Sequence, residues 1–402
     1  MIWHFLHIID IALWLLIALS VAYILFFALV STLWKKRVSR LTTYLTGQVL
    51  AMRKKDFYSY LILYPAYNED RVIVNSVQKF LAQYYPYSCF HIVVISDHMQ
   101  PETNQKLSEL PITLLQPVFE KSSKAKAMQY AMDQIKDDYD FIVILDADNV
   151  VESHFLEQLN TECAKGYKAI QCHRCAKNND NDIAVLDGVS EEINNTIFRK
   201  AHNRVGLSSA LIGSGMCFDF QWFKENVYKL TTAGEDRELE ALLLQQKIYI
   251  HYEPDIHVFD EKVSNKDNFQ KQRLRWMTAQ IQSLFRLLPY IPKAIITFNL
   301  DYIDKTIQQA LIPRSMLVVG ALGMSLFMTI FSLLFSLSWY IKWWCLFLAV
   351  CIALYIATPK QLRKHSVFGK ILSLPKLVWK MAMNILKIDR KNTDFIHTSH
   401  NK

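Results

Sequence analysis

The sequence predicts an α/β domain between one N-terminal and two C-terminal transmembrane helices. Three observations support this prediction. Short apolar segments alternate with helical patterns through the middle of the 402-residue chain, which is typical of an α/β sheet. Uncharged segments long enough to cross a membrane flank that region. Hydrophobic residues make up 51% of the chain, which is high for a soluble protein.

The N-terminal helix is predicted from residues 11–34, which carry no charge. A cleaved signal peptide is the alternative, but it would carry its positive charges before the apolar segment. Here the basic cluster follows the segment, and residues 30–32 make a poor cleavage site. We therefore predict a retained anchor with its basic flank over residues 1–50. The positive-inside rule places the N-terminus outside and the following domain in the cytoplasm.

Residues 51–290 form the predicted globular domain, in which strands and helices alternate. Such alternation predicts βαβ units on a mainly parallel sheet. The predicted strands are 61–64, 91–95, 112–115 and 141–145, and the helices between them are 71–83, 122–135 and 153–164.

Two carboxylates, Asp146 and Asp148, directly follow the apolar segment 141–145, which has three β-branched residues and predicts a buried strand. Ligands of open α/β sheets bind outside the carboxyl ends of the strands. Carboxylate oxygens at such a position suit Mg²⁺ or Mn²⁺, which would hold a substrate diphosphate. An Asp-x-Asp pair also arises by chance, so this metal site depends on the other motifs.

Two further polar residues lie where a nucleotide would bind. Asp97 follows the predicted strand 91–95, where it suits a contact with a base or ribose, or caps a turn or helix. Lys124 lies at the start of the predicted helix 122–135, where phosphate binds, although a solvated basic face explains it equally well.

Glycines and acidic residues form two further motifs in the second half of the domain. Gly213 and Gly215 flank Ser214, and in a chain with ten glycines this pairing indicates a close approach or an unusual dihedral angle. Glu235 and Asp236 open a predicted helix, where the helix dipole alone explains acidic residues. The functional interpretation is a general base that takes a proton from an acceptor hydroxyl.

Gln272, Arg275 and Trp276 share one face of a predicted helix. This set suits a lid in which the indole stacks on a sugar or base and the guanidinium meets phosphate. A helix lying at the membrane surface is the alternative, and both interpretations are compatible.

The cysteines and one histidine were considered as ligands. Seven cysteines without regular spacing argue against a disulfide framework and for a reducing compartment. Cys172 and Cys175 have no second pair, so no zinc site is predicted. For His257 a structural role is favoured over a metal-ligand role.

The C-terminal region is predicted to return the chain to the membrane. Residues 315–341 and 343–359 are uncharged and predict a two-helix hairpin within 291–360, with Lys342 reaching outward. A re-entrant hairpin is the alternative. The net charge of +8 equals the excess in residues 359–402, which contain ten Lys/Arg and two Asp/Glu. This basic cytoplasmic tail, with an amphipathic helix over 374–388, favours an anionic membrane surface over nucleic acid.

The motifs resemble, in their order along the chain, those of the membrane-bound family 2 glycosyltransferases. That group includes cellulose, hyaluronan and chitin synthases and ceramide glucosyltransferase. Each motif is common alone, but the ordered set is specific, and Gln-x-x-Arg-Trp discriminates best. The matching segments are residues 65–69, Asp97, 123–128, 146–148, 213–218, 234–236 and 272–276.

The resemblance implies a GT-A fold, a nucleotide-sugar donor, a divalent Mn²⁺ or Mg²⁺ ion and inversion at the anomeric carbon. It implies that Asp236 is the catalytic base and that Asp148, with Asp146, binds the metal. The implied donor-binding residues are Pro65, Tyr67, Glu69, Asp97, Lys124, Asp146, Gln272, Arg275 and Trp276, and the implied acceptor-binding residues are Gly213, Ser214, Gly215, Glu235 and Trp276.

Two positions depart from the family pattern. Residues 96–99 read Ser-Asp-His-Met where Asp-Asp-Gly-Ser is usual, which weakens any claim about the donor base. Gly234 stands where threonine is usual, although the following Glu235 and Asp236 are retained.

The predicted function is therefore transfer from a UDP-sugar to a growing polysaccharide or glycolipid, at the cytoplasmic side of a plasma or inner membrane. Single addition to a lipid carrier is the alternative. A non-catalytic scaffold would not need the intact carboxylates, and a nucleotidyltransferase would not need the Gln-x-x-Arg-Trp helix. The expected partners are the donor, the acceptor, the membrane and a second copy of the chain, with no nucleic acid.

Overall fold

A computed structural model describes residues 2–34, 55–178, 181–232, 234–262, 266–335 and 338–363. The predicted amphipathic helix 374–388, most of the basic tail and most of the basic flank after the first helix lie outside these residues.

An eight-stranded sheet forms the centre of the described globular part, in the order β3-β2-β1-β4-β7-β6-β8-β5. Strands β3, β2, β1 and β4 are parallel, β7 is antiparallel to both its neighbours, β8 is parallel to β6, and β5 is antiparallel to β8. The strands are β1 (Tyr60–Tyr67), β2 (Phe90–Asp97), β3 (Thr113–Leu115), β4 (Phe141–Ile144), β5 (Val150–Val151), β6 (Ala169–Ala176), β7 (Met216–Asp219) and β8 (Ile250–Asp260).

Helices cover the sheet and extend towards both described ends of the chain. A π-helical segment, Asn195–Ala201, joins α6 to α7. The helices are α1 (Ile2–Leu33), α2 (Ile73–Leu81), α3 (Pro101–Ser108), α4 (Lys124–Gln134), α5 (Phe155–Cys163), α6 (Asp182–Asn194), α7 (His202–Arg204), α8 (Phe220–Asn226), α9 (Glu235–Gln245), α10 (Lys266–Leu287), α11 (Ile291–Ile296), α12 (Leu300–Ala310), α13 (Arg314–Phe335), α14 (Tyr340–Ala357) and α15 (Lys360–Arg363).

The central strands are apolar without alternation because both faces of the sheet are covered. Ile62 and Val143 pack on the face covered by α2 and α5. Leu63 and Ile144 pack on the face covered by α4 and α8. A strand buried on both faces reads as a continuous apolar segment, which is how β4 was predicted.

The four predicted strands and three predicted helices are present, with ends shifted by up to three residues. The main difference lies at Pro65, which falls just after the predicted strand 61–64 but belongs to β1. Pairing of β1 with β4 ends at Leu63, so Pro65 has a neighbouring strand, β2, on one side only in this pairing. A proline is tolerated there because its missing N–H breaks no ladder on the open side.

Within the described part of the chain, three helices are long and apolar enough to cross a membrane: Trp3–Leu33, Arg314–Phe335 and Tyr340–Ala357. The first begins well before the predicted start at residue 11 and includes Asp10, which is only 2% exposed. Asp10 forms an ion pair with Lys342 and accepts a hydrogen bond from Trp343 Nε1 at 2.8 Å. The ammonium group of Lys342, for which an outward reach is predicted, is thus paired with α1.

Candidate active site

The carboxyl ends of the parallel strands place several of the predicted residues at one edge of the sheet. Tyr67 and Asp97 are register partners at the ends of β1 and β2. Asn68 and His98, the residues that follow them, have positive φ angles of 54° and 57°. Both strands therefore end in sharp turns, and Asn68 N donates to Asp97 O at 3.2 Å.

Asp97 is almost fully buried and lies beside an aromatic ring. Its Oδ1 atom is 2.5 Å from His98 Nδ1, and the His98 ring centroid is 5.4 Å from that of Tyr67. His98, which stands where the family pattern has glycine, thus joins Asp97 and Tyr67 in this group. This group lies at the ends of β1 and β2, whereas the metal candidates follow β4.

Lys124 connects the metal-site strand to the acceptor loop. Its Nζ atom lies 2.5 Å from Asp146 Oδ1, 2.5 Å from Gly213 O and 3.6 Å from Glu235 Oε1. Ser123 caps α4 by accepting from Lys126 N at 3.2 Å, which fixes where the helix begins. Burial lowers the pKa of Lys124, but Asp146 and Glu235 outweigh burial and leave this pKa raised. Lys124 therefore stays a cation between two carboxylates.

The loop after β4 is held by side chains from two motifs. Asp146 N donates to Asn149 Oδ1 at 3.0 Å and to Ser214 Oγ at 3.2 Å, and Ser214 Oγ also donates to Asn149. Gln171 Nε2 donates to Ser214 O at 2.9 Å. These bonds fix the Asp-Ala-Asp backbone against the Gly-Ser-Gly loop.

Both glycines of that loop have the unusual dihedral angle that was predicted as one alternative. The φ angle is +76° at Gly213 and +63° at Gly215. A Cβ atom at Gly215 would lie 3.0 Å from Val258 Cγ2, so this backbone also approaches β8 closely. A Cβ atom at Gly213 would lie 3.7 Å from Glu235 Oε1 and 3.9 Å from Asp236 Oδ2. The loop thus faces the start of α9.

The residues around Asp148 fit a divalent cation. Asp148 Oδ2 accepts from Glu261 N at 2.8 Å and its Oδ1 accepts from Asn149 Nδ2 at 3.0 Å. Burial, followed by the negative charges of Asp148 and Asp146, raises the pKa of Glu69 to about 8. Negative charge is thus concentrated among oxygen donors, which is the environment that Mg²⁺ or Mn²⁺ prefers.

Glu235 and Asp236 have different surroundings although they are adjacent. Glu235 is buried, and burial raises its pKa to about 7, with Lys124 opposing and Asp236 reinforcing the shift. Asp236 is less buried, and its Oδ1 atom accepts from Arg237 N at 2.8 Å. Asp236 therefore presents the more accessible of the two carboxyl groups.

Helix α10 brings Arg275 towards these carboxylates, as the shared face of the predicted helix required. Burial lowers the pKa of Arg275, while the charges of Glu235, Asp146 and Asp236 act in the opposite direction. The Oε1 atom of Gln272 is buried and accepts no hydrogen bond from any described residue. Trp276 lies beside Arg273, whose Cζ atom is 4.6 Å from its ring centroid.

The sequence analysis missed a buried ion-pair group formed by Arg174, Asp260 and Lys262. Arg174 Nε donates to Asp260 Oδ2 at 2.8 Å, and Lys262 Nζ lies 2.9 Å from Asp260 Oδ1. Burial lowers the pKa of Arg174. The charge of Asp260 and, to a lesser extent, that of Asp146 act against burial, and the pKa is raised. The signal was Arg174 itself, which stands between the two cysteines that were considered only as ligands.

Cys172 supports the Gly-Ser-Gly loop through its backbone, because Cys172 N donates to Gly215 O at 2.8 Å. Ligand atoms of His173, Cys175 and Glu192 lie within 4.8 Å of one another. His173 already bonds to Glu192 Oε1 at 3.0 Å and to the hydroxyl of Tyr252 at 2.8 Å, so polar partners on the protein satisfy its ring. His257 belongs to β8 rather than following it, and its Nδ1 atom is 3.7 Å from Glu152.

Comparison with known proteins places the chain in a family. Residues 59–279, just over half of the chain, match the model of Glycosyltransferase like family 2. No curated protein matches the chain.

Solved structures share the fold at low identity. A mannosyltransferase from Pyrobaculum calidifontis, PcManGT, in complex with GDP-Man and Mn²⁺, is 14% identical over 85% of this chain and 97% of that one, with a TM-score of 0.47. S. aureus TarS 1-349 in complex with UDP-GlcNAc is 12% identical over 75% of this chain and 93% of that one, with a TM-score of 0.39. At these scores the assignment rests on the family match.

The mixed sheet and its acidic edge are those of a GT-A glycosyltransferase. The chain belongs to glycosyltransferase family 2, as its motif order predicted. The predicted fold class and enzyme class are thereby confirmed.

Proposed function

We propose that this protein is a membrane-anchored, inverting glycosyltransferase. It transfers a sugar from a nucleotide diphosphate donor, most simply a UDP-sugar, to a hydroxyl of a polysaccharide or lipid-linked acceptor. The observation that carries this proposal is the convergence of Lys124, Asp146, Glu235, Asp236 and Arg275. This convergence supports a site in which a base, a diphosphate and a cation would meet.

The donor diphosphate is assigned to the edge after β4. Asp146 and Asp148 would hold a divalent ion there, with Glu69 close enough to join them. When bound, such an ion neutralises charge on the leaving diphosphate. Arg275 adds a fixed positive charge on the side of α10, and Lys124 holds Asp146 in place. Asp97 and Tyr67 are assigned to the base or ribose.

Asp236 is assigned the role of general base. Its carboxyl group faces the Gly213 loop, which leaves room for an acceptor hydroxyl because glycine has no side chain. Direct displacement by that hydroxyl breaks the bond from the anomeric carbon to the diphosphate and inverts the configuration. Glu235, which is held by Lys124, acts as a positioning residue and is not assigned the proton transfer.

The membrane helices are proposed to hold the catalytic domain at the membrane, where a lipid-linked acceptor would lie. We divide the chain into an anchor over 1–50, the catalytic domain over 51–290, a membrane hairpin over 291–360 and a basic tail over 361–402. The N-terminus lies outside and the catalytic domain faces the cytoplasm, because basic residues follow the first apolar helix and the last one.

The proposal is tested by measuring nucleotide release from detergent-solubilised protein supplied with UDP- and GDP-sugars. Each donor is incubated with Mn²⁺, with Mg²⁺ or with EDTA. The proposal predicts release from one preferred donor that requires a divalent ion. Release that persists at full rate in EDTA would contradict the assignment of Asp146 and Asp148, and silence with every donor and with acceptor lipid present would contradict the transferase assignment.

A further inference from the structure

A group of arginines lies where the catalytic domain meets the membrane helices. Helix α6 packs against these helices through Val189 and Ile193, which share a buried cluster with α1, α13 and α14. Two other residues of α6 contact arginines. Ser190 bonds to Arg314 at the start of α13, and Asp187 pairs with Arg273 on α10. We call Arg273 and Arg314 the boundary arginines.

The guanidinium group of Arg314 faces the protein, but the described residues do not satisfy all of its hydrogen-bond donors. Its Nη2 atom donates to Ser190 O at 3.1 Å and to Ser190 Oγ at 3.2 Å. Its Nη1 atom is buried and has no hydrogen-bond partner among the described residues. A buried N–H group without an acceptor is unfavourable, and more so when it carries charge.

Arg273 shows the same feature from the side of the active site. Its Nη2 atom forms an ion pair with Asp187 Oδ1 at 2.5 Å. Its Nε atom is buried and has no hydrogen-bond partner within the described ranges. Phe269 and Trp276 flank the guanidinium, with ring centroids at 4.8 Å and 4.6 Å. Arg273 thus has a buried donor beside Trp276 that no described residue satisfies.

The charges around the boundary arginines do not balance. The charged neighbours of Arg314 are Arg273, Glu191 and Arg199. Glu191 is already paired with Arg199 at 3.0 Å, and Asp187 with Arg273. No carboxylate in the described part of the chain lies within ion-pair distance of Arg314. One positive charge thus remains for an anion that the protein does not supply.

We propose that Arg273 and Arg314 bind the phosphate group of a membrane lipid. Guanidinium groups suit phosphate because they donate paired hydrogen bonds in a planar fork. The position favours a lipid over a soluble anion, because Arg314 is the first residue of a helix that is apolar enough to cross the membrane. The remainder of such a lipid would lie along α13 in the bilayer.

Two kinds of lipid carry this chemistry, a lipid-phosphate acceptor and an ordinary phospholipid. The acceptor case rests on the proposed function with one change: an oxygen of the lipid phosphate, in place of a hydroxyl, attacks the anomeric carbon, and the nucleoside diphosphate leaves. Binding itself is independent of catalysis and is measured without donor. Failure of this inference and failure of the transferase assignment are therefore distinguishable.

The binding experiment uses detergent-solubilised full-length protein with farnesyl phosphate and farnesol, which differ only in the phosphate. The wild-type protein is expected to bind farnesyl phosphate at least tenfold more tightly than farnesol. R314Q and R273Q should each lose at least tenfold of that affinity and leave farnesol binding unchanged. K293Q is the matched control, because Lys293 is an exposed basic residue of α11 outside this group.

Equal affinity for the two ligands, or full affinity in both arginine variants, would overturn the proposal. If R314Q fails to fold, R314K tests the same point, because lysine keeps the charge but lacks the planar fork of the guanidinium group. R314K is expected to bind farnesyl phosphate more weakly than the wild type. UDP as competitor should not displace farnesyl phosphate, and full displacement would reassign the arginines to the donor.

Competition then separates the two lipid sources. Transfer of sugar to farnesyl phosphate, lost in R314Q while donor binding persists, would identify the phosphate as that of the acceptor. Equal displacement by dioleoyl phosphatidic acid without any sugar transfer would identify a structural phospholipid, which supports the lipid-phosphate site and overturns its acceptor role.

Discussion

Lys124 Nζ lies 2.5 Å from Asp146 Oδ1, and the same ammonium group reaches Gly213 O and Glu235. One side chain thus joins the end of β4, the Gly-Ser-Gly loop and the start of α9. These segments are far apart in sequence, so Lys124 adds to the hydrogen bonds of Asn149 and Ser214 that hold the proposed site together.

Replacing Lys124 with methionine is expected to weaken both the fold and donor binding. Removing one member of a buried charged group leaves the carboxylates uncompensated, which costs ~3 kcal/mol or more. We predict a lower unfolding temperature and at least a tenfold weaker affinity for nucleoside diphosphate, measured by thermal unfolding and calorimetry. K126M, which changes an exposed lysine two residues away, should show neither effect. Unchanged affinity in K124M would remove Lys124 from the proposed donor site.

Glu235 is expected to make stability depend on pH. Its pKa is raised from the ordinary 4.5 to about 7. Between these values the unfolded chain loses the Glu235 proton while the folded protein keeps it, so stability falls as pH rises from 4.5 to 7. The variant E235Q lacks this contribution, and its unfolding temperature should fall less steeply across that window. The exposed E225Q serves as control, and identical slopes in E235Q and wild type would contradict the burial argument.

The two loop glycines should respond differently to alanine. Both have positive φ, which costs a non-glycine residue ~1–2 kcal/mol. At Gly215 the methyl group would also meet Val258 at 3.0 Å, and overpacking adds ~1–3 kcal/mol. We predict a larger loss of unfolding free energy for G215A than for G213A in chemical denaturation. Equal losses would show that β8 yields to the added methyl group.

The ion pair between Asp10 and Lys342 should stabilise the packing of α1 against α14. The variant D10N leaves the ammonium group of Lys342 without its carboxylate partner, so the unfolding temperature of the protein in detergent should fall. The double variant D10N/K342Q should lose less than the sum of the single losses, because contacting residues are not additive. Strict additivity in this cycle would indicate that the pair contributes nothing.

The sequence predicted those parts of the site that depend on local patterns. The apolar segment before Asp146, the helix that begins at Glu235 and the positive φ angles at Gly213 and Gly215 follow from strand, helix and glycine preferences. The chemistry assigned to these residues came from the order of the motifs, which the family match supports.

Features that depend on long-range pairing were not predicted. The insertion of β7 antiparallel between β4 and β6 joins strands distant in the chain, and no local pattern specifies its register. Arg174 and Asp260 meet only because β6 and β8 pair in parallel. The predicted first helix began after Asp10 because that residue is charged, whereas the residue that compensates this charge, Lys342, lies 332 residues away.

The most direct test of the proposed mechanism compares sugar transfer by D236N and D255N, each with the preferred donor and saturating divalent ion. Asp255 is an exposed residue of β8, so D255N makes the same chemical change away from the proposed site. We predict that D236N lowers kcat by ~10²- to 10⁴-fold, the usual effect of losing a general base, with nucleotide affinity unchanged. D255N should match the wild type. A kcat for D236N within a few fold of the wild type would contradict the assignment of Asp236 as the base.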